Sequence, residues 1–327
     1  NITYHSRNNQ MLLAALEQIR PAVDALLARV APERIGVVIG TSTSGMAEAE
    51  QAMRQRVSTG SFPKNFHYGQ QALGSTSGFL ADALGISGPT YTVSTACSSG
   101  AKVLASAQNL IRAGICDAVL AGGVDTLCGF TIAGFSSLES VSATRCNPFS
   151  ANRKGINIGE GGALYVLTRD EGPYAVLSAG ESSDAHHISA PEPTGAGAET
   201  AIRRALEKAN VAPDAIDFVH LHGTATRLND QAESAAIHRV FGDDMPASST
   251  KPMTGHTLGA AGAIQTAICL LAMREGVLPP HLWDGERDPE LPHIRLAGVA
   301  ERADLKRVLS ANYAFGGNNI ALILAAA

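Results

Sequence analysis

The sequence predicts an α/β fold built from two similar halves, and three observations carry that expectation. Short apolar runs alternate with longer helical patterns along all 327 residues. The motifs of the N-terminal part then return in the same order in the C-terminal part. Gly40-Thr41-Ser42-Thr43 answers to Gly223-Thr224-Ala225-Thr226, each after an apolar strand. SSGAKVLASAQNLIRAG answers to LGAAGAIQTAICLLAMREG, with Gly100, Arg112 and Gly114 matching Gly262, Arg274 and Gly276. GGALYVL, from Gly161, answers to NNIALIL, from Asn318. Finally, 33 glycines suit a chain with many tight strand-to-helix turns.

Taken in order, Gln10–Val30 reads as a helix interrupted by Pro21, and Arg34–Gly40 as a buried strand. Thr90–Thr95 is a second strand, and Ser98–Ala113 an Ala-rich buried helix stopped by Gly114. Asp117–Asp125 and Gly161–Thr168 are further strands. After Asp170-Glu171-Gly172-Pro173 the pattern restarts, so the two halves are 1–170 and 171–327. The second half is complete. The first lacks a counterpart to its opening strand and helix, which points to residues ahead of Asn1 in the natural chain. Ala190–Gly197 and Leu278–Pro292 read as loops.

Composition excludes some classes of function. A net charge of −5 gives no global attraction to nucleic acid or to an anionic membrane. No apolar run is long enough to span a bilayer, and no signal-peptide pattern is present. The five cysteines form no C-x-x-C pair, which argues against a disulfide framework or a zinc site and for a cytoplasmic setting. Gly122-Gly123 and Gly159-Glu160-Gly161-Gly162 lack the Walker lysine and the Rossmann spacing, so nucleotide binding is rejected. Neither a metal nor a cofactor is expected.

Three motifs carry chemistry, each at a turn where a strand ends or a helix begins. In Thr95-Ala96-Cys97-Ser98-Ser99-Gly100-Ala101, a strand delivers Cys97 to the first turn of a buried helix. Backbone N–H groups and the helix dipole there are expected to lower the thiol pKa and make a nucleophile. A buried, inert cysteine is the other reading, and this motif alone leaves both open. The second motif, His220-Leu221-His222-Gly223-Thr224-Ala225-Thr226, puts His222 at a strand end beside a glycine turn. The third runs from Lys251 to Gly262 and puts His256 at a helix start, the repeat counterpart of the Cys97 region. A lone histidine at either place is more often structural. One cysteine and two histidines at corresponding ends of duplicated units make the arrangement that nucleophilic acyl chemistry needs. Two neutral imidazoles near a thiolate would donate hydrogen bonds to a thioester carbonyl and stabilise an enolate. The backbone N–H groups of Cys97 and Phe315 would form an oxyanion hole, with Gly316-Gly317 giving the backbone freedom to approach.

TACSSGA, HGTAT…ND, KPMTGHTLGAAGA and NYAFGGNN resemble the four signature blocks of β-ketoacyl-acyl-carrier-protein synthases of the Cys-His-His type, in the thiolase-like superfamily. The likeness runs in order from about Arg34 to Leu324. It implies a five-layer αβαβα fold, with Cys97 as acyl acceptor and His222 and His256 assisting malonyl decarboxylation. It further implies a buried charged pair of Lys251 and Glu233, contacts from Thr224 and Thr226 to a pantetheine arm, and Phe315 as gate of the acyl pocket. The partners it implies are acyl- and malonyl-loaded acyl carrier protein and a tight dimer, either a homodimer or a heterodimer with a chain-length-factor-like subunit. Arg227, Asn229, Lys102 and the NNI after Gly317 depart from the usual pattern and resemble specialised type II enzymes of aryl polyene or polyketide assembly.

Rival readings fail on particular residues. Thiolases use a second cysteine near the C-terminus, where this chain has FGGNNIALIL. Non-catalytic chain-length-factor subunits usually lose the nucleophile, whereas this chain keeps Cys97 and both histidines. His186 and His187 fall in a loop near the entrance and read as structural or substrate-lining. Cys116, Cys128, Cys146 and Cys269 read as small buried hydrophobes. Arg112, Arg145, Arg153 and Lys154 are cations that an acidic carrier would meet, or simply a solvated surface.

Overall fold

The computed structural model describes residues 1–326. The first half contains α1 (Arg7–Gln18), α2 (Arg20–Leu27), β1 (Ile35–Gly40), α3 (Met46–Thr59), α4 (Ser75–Leu84) and β2 (Thr90–Val93). It continues with α5 (Ser99–Arg112), β3 (Ala118–Asp125), α6 (Gly129–Ser137) and β4 (Gly161–Thr168). Its strands form one sheet in the order β2-β1-β3-β4, parallel except for β4.

The second half contains β5 (Tyr174–Ser183), α7 (Ala196–Ala209), β6 (Phe218–His220), α8 (Arg227–Phe241), β7 (Pro246–Ser248) and α9 (Lys251–Thr254). It ends with α10 (Ala261–Glu275), β8 (Arg295–Leu296), β9 (Arg307–Ala314) and β10 (Asn318–Ala326). Its sheet has the order β5-β10-β9-β6-β7-β8. The repeat is therefore structural: β1, β2, β3 and β4 correspond to β6, β7, β9 and β10. β10 has β5 on its outer side, whereas the outer edge of β4 is unpaired among the described residues. A groove of about 990 Å³ runs along β4 to the start of β5.

Five layers result. α1 and α4 pack on the outer face of the first sheet, and α7 covers the second, with α8 packed beside it. Between the sheets lie α5 and α10, in contact with each other and with strands of both sheets. This explains the strand sequences: β1 and β3 are buried at every position, so they read as continuous apolar runs rather than alternating ones. The central pair sits close because each helix offers a glycine to the other. A Cβ on Gly100 would lie 2.7 Å from the Ala263 nitrogen, and one on Gly262 would lie 2.4 Å from that of Ala101. Neither position has room for a side chain.

The expected first helix is two. Ile19 leaves the helical region at φ −113°, ψ 12°, and Pro21 falls in the first turn of α2, where its missing N–H costs nothing. The strand expected over Thr90–Thr95 stops at Val93, because the chain bends there toward Cys97.

Candidate active site

The centre of the molecule, where α5 and α10 begin, collects the three motifs. Cys97 lies between β2 and α5. Ala96 before it sits at φ +52°, a left-handed conformation that costs a non-glycine residue about 1–2 kcal/mol. Hydrogen bonds hold that bend. Ser99 Oγ accepts from the Thr95 N–H at 2.9 Å and donates to the Ala96 carbonyl at 2.6 Å. Ala225, at φ +65°, and Leu258, at φ +49°, put similar strain beside His222 and His256.

His256 lies between α9 and α10, its backbone N–H donating to the Asn157 carbonyl at 2.6 Å. Its Nε2 is 3.0 Å from Cys97 Sγ. No partner meets its Nδ1 among the described residues, so nothing fixes which nitrogen carries the proton. His222 lies just beyond β6, its ring edge-on to that of His256 with centroids 5.3 Å apart. Glu233 grips the turn below it, accepting from the His222 N–H at 2.6 Å and the Gly223 N–H at 2.7 Å. Lys251 holds it from the other side, donating to the His222 carbonyl and, at 3.4 Å, to His222 Nδ1. A cation on Nδ1 leaves the imidazole proton on Nε2, which faces Cys97.

Lys251 and Glu233 are both buried, and each acts on the other's ionisation through space, while the hydrogen bonds of the Lys251 ammonium go to uncharged acceptors. They brace the two sides of His222. Asn229 completes the support, donating to Asp230 at 3.1 Å and to Glu233 at 3.2 Å.

The electrostatics overturn one expectation. Burial pushes the Cys97 thiol up to about 12, outweighing the lowering by Lys251 and by the N–H groups of Cys97 and Phe315. The helix start does not make a resting thiolate. Burial and the Lys251 charge hold His222 and His256 well below the ordinary histidine range, so both are neutral. The ligand atoms of Cys97, His222 and His256 lie within 4.8 Å of one another.

A cavity of about 370 Å³ opens onto this centre. Thr224 and Thr226 line it, their hydroxyls 2.9 Å apart. Phe315 closes one side, stacked on Phe135 of α6 at 5.4 Å between centroids. Gly316 and Gly317 follow at φ +79° and +73°, the left-handed turn that lets the Phe315 N–H point at the sulfur.

The remaining candidates lie elsewhere. His220 is buried against Thr250 and Gln265, outside the cluster. His186 and His187 are exposed, and His187 Nδ1 caps its own loop by accepting from the Ser189 and Ala190 N–H groups. Cys116, Cys128, Cys146 and Cys269 are buried and unpaired. Arg153 is no surface cation: it is 7% exposed and paired with Asp288. Arg112 donates to the Leu177 carbonyl, away from the cavity, while Lys154 and Arg227 sit at its mouth. Sequence reasoning missed Gln265, Asp230 and Phe135. For Gln265 a signal existed, a lone amide within the apolar run AAGAIQTAICLL.

Duplicated halves with a buried Cys-His-His cluster at their junction define the thiolase-like class. Residues 6–172 match the family model for the β-ketoacyl synthase N-terminal domain, and residues 174–283 that for its C-terminal domain. Nodulation protein E of Rhizobium meliloti is 36% identical over 88% of this chain and 75% of its own length. The 3-oxoacyl-[acyl-carrier-protein] synthase 2 of Staphylococcus aureus is 31% identical over 95% of this chain and 82% of its own length. Among solved structures, the complex of the ketosynthase ApeO with its chain length factor ApeC from Xenorhabdus doucetiae contains a similar chain. It aligns with a TM-score of 0.96 at 48% identity, over all of this chain and 83% of that one. The ishigamide ketosynthase/chain length factor aligns at 0.91 and 31%, over all of this chain and 84% of that one. The chain belongs to the β-ketoacyl synthase family, whose members are condensing enzymes. No helix among the described residues is long and apolar enough to cross a membrane.

Proposed function

We propose that this chain is the catalytic ketosynthase subunit of a type II pathway and performs decarboxylative Claisen condensation with Cys97, His222 and His256. The contact of His256 Nε2 with Cys97 Sγ at 3.0 Å carries the reading. The thiol attacks an acyl-carrier thioester and passes its proton through His256 to the departing pantetheine sulfur, leaving the acyl group on Cys97. Malonyl thioester follows. As its C–C bond to the carboxylate breaks, carbon dioxide leaves and the electron pair becomes an enolate, held by the N–H of His222 and by His256 after its single ring proton has moved, by exchange with solvent, from Nδ1 to Nε2. The enolate carbon attacks the Cys97 thioester, the oxyanion resting on the Cys97 and Phe315 N–H groups. Collapse expels the Cys97 sulfur, which regains a proton from solvent, and the product is longer by two carbons.

In this reading Thr224 and Thr226 bind the pantetheine arm, Phe315 gates the acyl pocket, and Gly316 and Gly317 free the loop to move. Lys251 and Glu233 support His222. The nucleophile belongs to residues 1–170 and the two histidines to 171–327. The partners are acyl carrier protein and a chain-length-factor-like subunit. The 48% identity to a chain of a ketosynthase–chain length factor complex favours that subunit over a second copy. The reaction runs in the cytoplasm, where five unpaired cysteines stay reduced.

Intact-protein mass after mixing with a series of acyl-carrier thioesters tests the reading, with and without a chain-length-factor-like subunit. The expected result is an acyl mass shift that disappears in Cys97→Ala. A shift that persists in that variant would place the nucleophile elsewhere.

A further inference from the structure

Lys251 is buried, and its three ammonium hydrogens meet three uncharged acceptors: the His222 carbonyl, His222 Nδ1 at 3.4 Å and Gln265 Oε1 at 3.4 Å. Gln265 stands on α10, 3% exposed, and its amide can face only one way. Nε2 donates to the Ala311 carbonyl at 3.1 Å, approaches the Leu221 carbonyl at 3.4 Å and lies 3.1 Å from His220 Nδ1. Two carbonyl oxygens would repel an amide oxygen in that place. Oε1 is therefore turned to Lys251 and to Asn312 Nδ2, which donates to it at 2.7 Å.

We infer that Gln265 is a positioning residue: by giving Lys251 an uncharged acceptor instead of a carboxylate, it lets the lysine's proton decide whether His222 offers a donor to the substrate. The inference rests on the function proposed above. As an ammonium, Lys251 directs a hydrogen at Nδ1, and the single imidazole proton stays on Nε2, facing the cavity. As a neutral amine, Lys251 has two hydrogens and one lone pair. The carbonyl of His222 and Gln265 Oε1 take the hydrogens, and the lone pair faces Nδ1 and draws the imidazole proton there. Nε2 is then bare and opposes a thioester oxygen instead of binding it. The lysine's proton goes to solvent, and no other group changes charge.

The surroundings make this proton labile. Glu233 and Asp230 from α8, Cys97 before α5 and Cys146 from the 138–160 segment favour the ammonium. His220 and His222 at β6 and His256 before α10 face the same centre, each held neutral in part by the lysine's charge. Burial is the largest influence and lowers the lysine's pKa. A contact carboxylate would reverse that. Gln265 does not.

The test is the pH profile of malonyl-carrier decarboxylation, followed as carbon dioxide release in a Cys97→Ala background, where acylation cannot contribute. Rates fall on the alkaline side as Lys251 loses its proton. Gln265→Glu should move that limb up by about 1–3 pH units, the effect of an opposite charge within contact. Gln265→Met fills the space without an acceptor and should move the limb down. If Gln265→Glu folds poorly beside the Ala311 carbonyl, the methionine variant alone decides. A limb that stays fixed, or moves the same way in both variants, overturns the inference while leaving the condensing activity intact. Absence of decarboxylation at every pH overturns the proposed function, and the inference with it.

Discussion

Cys97 and His256 face each other at 3.0 Å as a thiol and a neutral imidazole, not as a thiolate and an imidazolium. A buried imidazolium would stand close to the Lys251 ammonium, and a buried thiolate would lose its hydration, so the proton stays on sulfur until substrate arrives. This predicts how the free enzyme reacts with iodoacetamide. With the thiol pushed up to about 12, the thiolate fraction and the alkylation rate should rise roughly tenfold per pH unit across the neutral and alkaline range, without a plateau. A plateau near neutral pH, measured by stopped alkylation and intact mass, would show that the N–H groups at the helix start outweigh burial. The sequence located this cysteine but reversed its ionisation. TACSSGA reveals a strand-to-helix turn and its donors, whereas the desolvation that opposes them comes from side chains of both halves. The arrangement of Lys251 and Glu233 escapes the sequence for a related reason. The resemblance implies that both support the histidines, but only the fold puts them on opposite sides of His222.

At the scale of elements, the site depends on how closely α5 and α10 approach, because one begins just after Cys97 and the other just after His256. The duplicated runs SSGAKVLASAQNLIRAG and LGAAGAIQTAICLLAMREG made this pair legible, since each is an Ala-rich helix with a glycine near its start. Their mutual contact was not legible, because periodicity identifies a buried face without naming what covers it. Gly262→Ala tests the pair. The added Cβ would lie 2.4 Å from the Ala101 nitrogen, so backbone must shift. A loss of about 1–3 kcal/mol in denaturant unfolding is expected, together with slower Cys97 acylation as the sulfur and imidazole move apart. Gly172→Ala, whose Cβ meets nothing within 4 Å, should stay within about 0.5 kcal/mol. Equal stability of the two variants would show that the helices tolerate separation.

For the whole molecule, α6 stands out. None of its residues is buried, and Phe130 and Ile132 within it and Leu127 and Leu138 flanking it are exposed by 40–66%. Its sequence, GFTIAGFSS, is nonetheless strongly apolar, a combination that water does not favour over a contiguous patch. The inward side of the same helix carries Phe135, stacked on Phe315 at the cavity wall. A subunit that covers α6 therefore also supports the wall of the acyl pocket, which ties partner choice to chain length. The expected outcome is that Phe130→Asp weakens association with a chain-length-factor-like subunit in size-exclusion light scattering. The isolated chain should still fold, because Phe130 is 66% exposed and supports no core contact. Acylation of Cys97 should persist while the distribution of product lengths broadens, because Phe135 and Phe315 lose their backing but the Cys97–His256 contact does not. Unchanged association and an unchanged product distribution would mean that this face is not where the second subunit sits, and that pocket length is set by residues of this chain alone.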